Sequence, residues 1–333
     1  MLLDEFAAFL RVNKSRTAQE KYVQAAKAFL TYIDADGQTL TRMKGNTLRG
    51  FVGWLTTPEQ GVRVPGAATV HLMVAGVRSY LDFLRGEDVQ VPEQARPDRP
   101  RLPEYMPLVL SREQLAIYVD ICLKEEDPMG TLLLILPYCG LRIAEACQLR
   151  LRDVIWHDVS PNDRRYILHV EKGKGGKERL TPMFTGPSCL VSQAMHLYLM
   201  QERPKYILDA EVPKGERWLF PMPASQYIQP VNPKMAQRRV RGWRKPVGMP
   251  ELHPHVCRGH FATALLSIPL DAIEVARYLG HTKNIDTLAN HYAGVRMDDV
   301  GEWMGAIARP SQADYQTTLR QGRAGRREQQ QRT

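Results

Sequence analysis

Apolar residues recur every three or four positions along much of the first 86 residues, which is the spacing of one face of an α-helix. One helix is predicted for residues 17–33, where Thr17 and Glu20 have the spacing of a capping box. Others are predicted for residues 45–57, with Asn46 as N-cap, and for residues 67–86, which end in a glycine. The apolar faces of the first and last of these helices consist of Tyr22, Ala25, Ala26, Phe29 and Ile33, and of Val70, Met73, Val74, Val77, Leu81 and Leu84. Residues 1–86 therefore predict a small helical domain.

The helical pattern stops at residues 87–107, which are rich in proline and charge and have no sustained period. This composition predicts an extended linker. A second domain is predicted for residues 108–308. It begins with Ser111 and Gln114 in capping-box spacing, and another apolar helix follows from Met129.

The second domain also contains a predicted β-hairpin. The segments "RRYILHV" (164–170) and "ERLTPM" (178–183) read as strands around the glycine-rich turn "EKGKGGK". Helical patterns return at residues 191–201, 258–267 and 271–280. The predicted fold class is therefore mainly α with a small β-hairpin or sheet (α+β), followed by a basic, disordered tail at residues 309–333.

Composition narrows the functional classes. With 44% hydrophobic and 24% charged residues, the 333-residue chain resembles ordinary soluble proteins. No apolar run approaches the roughly 20 residues of a membrane helix, and no signal segment follows Met1, so we expect a cytoplasmic protein without a membrane partner. The five scattered cysteines predict reduced thiols in or near the core. The net charge of +9 favours a polyanionic partner, although many basic proteins bind none.

Four polar segments of the second domain are candidates for chemistry: "YCGLRIAEACQL" (138–149), "EKGKGGKER" (171–179), "HPHVCRGHF" (253–261) and "LGHTKNIDTLANHYAG" (279–294). Each has an ordinary structural alternative. Arg142 and Glu145, three apart on one predicted helix face, could form a surface ion pair. The glycine-rich segment could be a solvated turn, and it lacks the register of a nucleotide-binding loop. In the third segment an arginine between the histidines disfavours a metal and favours an anion.

Taken together, the four segments supply two arginines, a lysine, two histidines and a tyrosine, without a carboxylate cluster for Mg²⁺. This inventory suits attack of a phenolate on a phosphodiester. Two guanidiniums can hold the non-bridging oxygens and stabilise the negative charge of the transition state. Nearby positive charge favours the phenolate over the phenol, and an ammonium group can protonate the leaving alkoxide.

In order and wording, these segments resemble the tyrosine recombinase, or phage integrase, family. The family signature reads here "CGLRIAE", "GKGGKER", "HVCR", "LGH" and "ANHY", over roughly residues 111 to 308. The resemblance implies an integrase-type catalytic domain preceded by a helical, DNA-binding core-binding domain, with DNA clamped between the two.

The resemblance also implies roles for individual residues. Arg142 and Arg258 would bind the scissile phosphate, with Glu145 as a supporting residue. Lys174, rather than its neighbour Lys177, would protonate the leaving 5′-oxygen. The remaining implied roles are proton transfer for His255, a phosphate contact for His281 and the 3′-phosphotyrosyl link for Tyr292.

Two departures from the family pattern concern positions near these residues. Gly259 stands where the family usually has a histidine, and no role is assigned to His260. Tyr292 lies eleven positions after His281, farther than is usual in the family. Tyr278 precedes "LGH" within a predicted helix and Tyr315 lies in the tail, so Tyr292 remains the predicted nucleophile.

The sequence therefore predicts a site-specific DNA recombinase for a mobile element or plasmid, acting without cofactor, metal or ATP. The resemblance implies that its partner is double-stranded DNA with a specific recombination site, bound by a homo-tetramer, with or without an accessory or partner recombinase. One alternative is a type IB topoisomerase-like enzyme, which relaxes DNA without exchanging partners. The other is a non-cleaving DNA-binding accessory protein.

Overall fold

The computed structural model of the chain describes residues 2–57, 64–92, 108–160, 163–171, 173, 178–185, 189–206, 217–223, 228–268 and 272–280. The chain divides into two compact units, Met1–Glu104 and Tyr105–Thr333, each with its own hydrophobic core. Within the described residues, no helix is long and apolar enough to cross a membrane.

The N-terminal unit is helical, as its apolar periodicity predicts. Its described helices are α1 (Leu3–Asn13), α2 (Arg16–Ala35), α3 (Thr47–Thr56) and α4 (Ala67–Gly86). The predicted face of α2 is buried through Ala25, Ala26, Phe29 and Ile33. The predicted capping box was wrong, because the N-cap of α2 is Ser15, two residues before Thr17, and Glu20 accepts a hydrogen bond from Arg16. Helix α1 was not predicted; its Phe6 ring packs edge-on against Tyr80 of α4.

The C-terminal unit is also mainly helical. Its helices are α5 (Arg112–Lys124), α6 (Pro128–Cys139), α7 (Ile143–Cys147), α8 (Leu190–Leu197), α9 (Pro233–Gly242), α10 (Arg244–Val247), α11 (Pro254–Ser267) and α12 (Ala272–Leu279). Helix α5 has the predicted capping box between Ser111 and Gln114. Helix α6 is buried around nearly its whole circumference, which accounts for its uniformly apolar sequence.

A small antiparallel sheet completes this unit. It contains β1 (Val154–Ser160), β2 (Asp163–Val170) and β3 (Arg179–Met183) in the order β1-β2-β3. A short second ladder pairs β4 (Pro221–Pro223) with β5 (Ile228–Pro230). The predicted hairpin corresponds to β2 and β3, whereas β1 and the short ladder were not predicted. The mainly helical fold with a small sheet is thus confirmed.

All five cysteines lie within the described ranges and are free thiols. Four of them are buried and Cys189 is half-buried, so the predicted location in or near the core is confirmed.

Candidate functional site

Arg142 and Glu145 form a tight pair at the start of α7. Arg142 is the N-cap of this helix, and both its backbone amide and its guanidinium donate to the Glu145 carboxylate, at 2.9 and 2.8 Å. The sequence predicted that the two side chains share a helix face. Instead, the pair lies at the N-terminal end of the helix, where Arg142 is the N-cap. The Glu145 side chain is only 5% exposed, so the alternative of a surface ion pair was wrong.

Arg258 lies on α11 and is fixed by two backbone carbonyls. Its guanidinium donates to the Gly140 carbonyl at 2.6 Å and to that of Leu279. Gly140 ends α6 in the left-handed conformation, with φ of +61°, two residues before Arg142. Arg258 therefore connects the segment that carries Arg142 to the end of α12, the helix that runs up to "LGH".

A third arginine, Arg179 at the start of β3, reaches the same carboxylate. Its two terminal nitrogens donate to the Glu145 oxygens at 3.1 and 2.6 Å, and its Nε donates to the Tyr278 carbonyl at 3.0 Å. Sequence reasoning missed this residue. The available signal was a charged residue at the start of an otherwise apolar strand, since a buried charge needs a partner of opposite sign.

The two arginines dominate the electrostatics of Glu145. Burial by itself raises the pKa of this carboxyl, but hydrogen bonds and charge from Arg179, followed by those from Arg142, lower it to about 2. Glu145 is therefore ionised at neutral pH, and the three side chains together carry a net charge of one positive unit.

His255 lies on the first turn of α11 and is exposed at the surface. It lines a depression of about 200 Å³ together with Arg142, Gln237, Arg241 and His253. The pKa of His255 is lowered from its ordinary value, first by partial desolvation and then by the positive charge of Arg258. The neutral form of the imidazole, which can accept a proton, is therefore favoured at neutral pH.

His260, to which no role was assigned, lies on α11 two positions after Arg258 and is buried. Burial lowers its pKa to about 4, opposed by a hydrogen bond with the Leu110 backbone. His260 is therefore neutral at physiological pH, in keeping with a packing position.

The described part of the chain thus brings together four of the seven residues assigned to the site, namely Arg142, Glu145, His255 and Arg258. Lys174, its competitor Lys177, His281 and Tyr292 lie outside the described residues, as do the tail and most of the predicted linker. The described residues nevertheless reach the flanks of these positions, at Glu178 and at Gly280.

The model of the phage integrase family matches residues 109–298, which is more than half of the chain and spans all the signature segments. The chain belongs to the phage integrase, or tyrosine recombinase, family. Among curated proteins it is similar to a tyrosine recombinase of Thermosipho africanus, with 24% identity over 86% of this chain and 91% of that protein. It is also similar to the tyrosine recombinase XerA of Pyrococcus furiosus, with 25% identity over 84% of this chain and 85% of the relative.

Among solved structures, the fold is similar to that of XerH site-specific recombinase, bound to its difH substrate in a pre-cleavage complex. The TM-score is 0.61 at 20% identity, over 90% of this chain and 81% of XerH. This likeness supports the recombinase fold over most of the chain.

Proposed function

We propose that this chain is a site-specific DNA recombinase that cleaves and rejoins double-stranded DNA through a 3′-phosphotyrosyl intermediate. Membership of the family supports DNA cleavage and rejoining, and the relatives and the XerH structure carry the name recombinase. In this proposal residues 1–86 are the core-binding domain, residues 87–107 the linker and residues 108–308 the catalytic domain. Integration, excision or resolution for a mobile element or plasmid is the expected biological task.

The observation that carries the proposal is the pair of oriented arginines. Arg142 and Arg258 are tied to the same short segment, because Arg258 bonds the Gly140 carbonyl and Arg142 follows two residues later. Guanidiniums held in place before the substrate arrives stabilise a phosphorane transition state without the cost of reorganisation. Arg142 is 21% exposed and lines the depression beside His255, whereas Arg258 is 2% exposed. A phosphate oxygen can therefore reach Arg258 only where DNA binding uncovers an edge of its guanidinium.

The remaining roles follow from the chemistry of the family. The Tyr292 phenolate attacks phosphorus, so that a phosphorus–tyrosine oxygen bond forms while the bond to the 5′-oxygen breaks. Lys174 protonates that leaving oxygen, His255 accepts or returns a proton, and His281 bonds a phosphate oxygen. Because the ester bond retains the energy of the broken one, religation to a partner strand requires no ATP. The arginines supply the positive charge for which other phosphoryl-transfer enzymes use Mg²⁺.

Strand exchange requires two duplexes, and we therefore propose a homo-tetramer on DNA that passes through a Holliday junction. The net charge of +9 is suited to binding the DNA backbone. Selection of bound genomic fragments identifies the sequence of the DNA site, on which a partner or accessory recombinase can then be sought.

The test begins by selecting bound fragments from sheared genomic DNA of the source organism. A selected duplex is then prepared with a 5′ label and a nick at each successive position, and is incubated with protein in EDTA without ATP. A nick beside the true cleavage position releases a short fragment and traps the covalent complex. The 5′ label stays with the protein, because a 3′-phosphotyrosyl link retains that side of the cut.

We expect a denaturation-resistant adduct with the wild type and with Tyr315→Phe, and none with Tyr292→Phe. Specific binding without an adduct at any nick position would contradict cleavage and indicate an accessory DNA-binding protein. Adduct formation accompanied by relaxation of supercoiled DNA, but without recombinant products from paired sites, would indicate the topoisomerase-like alternative. An adduct that persists in Tyr292→Phe would assign the nucleophile to another tyrosine.

A further inference from the structure

Arg179 is a buried, charged side chain in the described part of the site, and none of the roles above uses it. Its side chain is 7% exposed, and it donates three hydrogen bonds, two to Glu145 and one to the Tyr278 carbonyl. These three hydrogen bonds all go to protein groups beside the proposed phosphate site, and the proposed reaction assigns Arg179 no contact with DNA. Any effect it has on the reaction therefore passes through the groups that it holds.

The first of these groups is Glu145, which Arg179 shares with Arg142. Each carboxylate oxygen accepts one bond from each arginine, so the carboxylate lies between the two. A carboxylate paired with Arg142 alone would neutralise the charge that a phosphate needs. With Arg179 present, the negative charge of Glu145 is balanced from the buried side, and Arg142 retains its attraction for an anion.

The second group is the end of α12, which leads to His281. Arg179 bonds the carbonyl of Tyr278, and Gly280 follows in the left-handed conformation with φ of +70°. A Cβ atom at Gly280 would lie 3.2 Å from both Cδ and a terminal nitrogen of Arg179. The glycine of "LGH" therefore makes room for Arg179 as well as supplying the turn.

The third link is along the chain. Arg179 is the first residue of β3 and follows Lys174 by five positions along the chain. Arg179 therefore joins, by hydrogen bonds or by chain continuity, the segments that hold Arg142, Lys174 and His281.

We propose that Arg179 is a positioning residue for the recombination reaction: it offsets the charge of Glu145, so that Arg142 is free to bind the scissile phosphate, and it sets the end of α12 relative to Arg142. This inference rests on the proposed function. An alternative is that Arg179 is simply a buried salt bridge that stabilises the fold.

The test compares four variants with the wild type on the selected DNA: Arg179→Gln, Glu145→Gln, the double variant Arg179→Gln/Glu145→Gln, and Arg203→Gln. Arg203 is a matched control, because it is also a buried arginine and bonds the carbonyls of Trp218 and Leu219. Three quantities are measured: the rate of adduct formation in a single turnover, the dependence of DNA affinity on salt, and the melting temperature.

For Arg179→Gln we expect the cleavage rate to fall about 10- to 100-fold. We also expect the slope of log affinity against log salt to fall by about one, as for the loss of one phosphate contact. The double variant removes the uncompensated carboxylate as well, and it should recover much of the slope and part of the rate. Arg203→Gln should lower the melting temperature while leaving the slope and the rate close to wild type.

A purely structural role gives a different pattern. In that case Arg179→Gln would behave like Arg203→Gln, or the double variant would be no better than the single one, and either result would overturn the proposal. The salt dependence of DNA affinity also distinguishes failure of the proposed recombinase function from failure of the proposal for Arg179. If the wild type binds DNA but forms no adduct, the proposed cleavage function is refuted. A salt slope that falls in Arg179→Gln and recovers in the double variant would, even then, support the proposal that Arg179 positions Arg142. A wild type that enriches no specific fragment from the genomic DNA, and forms no adduct with any fragment, overturns both.

Discussion

Replacing Gly140 by alanine is expected to disturb the centre of the candidate site, for two physical reasons. The residue adopts φ of +61°, which costs an L-amino acid about 1–2 kcal/mol. Its Cβ would also lie 2.2 Å from Cδ1 and 2.7 Å from Cε1 of the fully buried Phe261 ring. Forcing extra volume into a packed core costs about 1–3 kcal/mol more. The expected loss in free energy of unfolding is therefore about 2–5 kcal/mol, a large part of the total stability of a typical domain.

Gly248→Ala is the matched control for this substitution. Gly248 also ends a helix in the left-handed conformation, with φ of +69°, but no heavy atom lies within 4 Å of its Cβ position. This variant should therefore lose only the backbone contribution of about 1–2 kcal/mol. The difference between the two variants isolates the contact with Phe261.

The assay is urea unfolding of the full chain, with pulsed hydrogen exchange of peptides from α6 and α11 to follow the C-terminal unit separately. A Phe261→Leu substitution should partly relieve the clash, so its combination with Gly140→Ala should cost less than the sum of the two single changes. Equal destabilisation by Gly140→Ala and Gly248→Ala would refute the reasoning. Because the Gly140 carbonyl accepts from Arg258, we also expect Gly140→Ala to slow adduct formation.

Two further predictions concern pH. The pKa of Glu145 falls from an ordinary 4.5 to about 2 in the folded chain, so its stabilising contribution is complete above pH 4.5 and is lost as the pH falls towards 2. Glu145 contributes on the order of 3 kcal/mol to the free energy of unfolding. Glu145→Gln should remove this part of the acid dependence in urea unfolding. An acid dependence equal to that of the wild type would contradict the prediction. For His255, ring-proton NMR should give a folded pKa below 6.5, because partial desolvation and the charge of Arg258 disfavour the imidazolium. Stability should therefore decline as the pH falls from 6.5 through that value. A pKa of His255 at or above 6.5 would contradict the described surroundings of this side chain.

Local regularities of the sequence predicted most of the helices. The buried face of α2 and the capping box of α5 depend on residues three or four positions apart, and such contacts form within one helix. Elements that depend on distant partners were missed. Strand β1 has no distinct alternation of its own and exists through its pairing with β2. Helix α1 is stabilised by aromatic contacts of Phe6 with Tyr80 and Phe83 of α4, which lie 74 and 77 positions away along the chain.

For the site, the sequence by itself determined which side chains are available: two arginines, a glutamate, two histidines, a lysine and a tyrosine, in a recognisable order along the chain. Their grouping could be predicted because the order of segments resembles a known family. The tertiary structure alone decided how the charges are shared. Arg179 lies 34 positions from Glu145 and 99 from Tyr278, and it meets both only because β3 and α12 converge beside α7. A hydrogen bond depends on distance and direction in space, and the spacing of residues along a chain specifies neither once several helices and strands intervene.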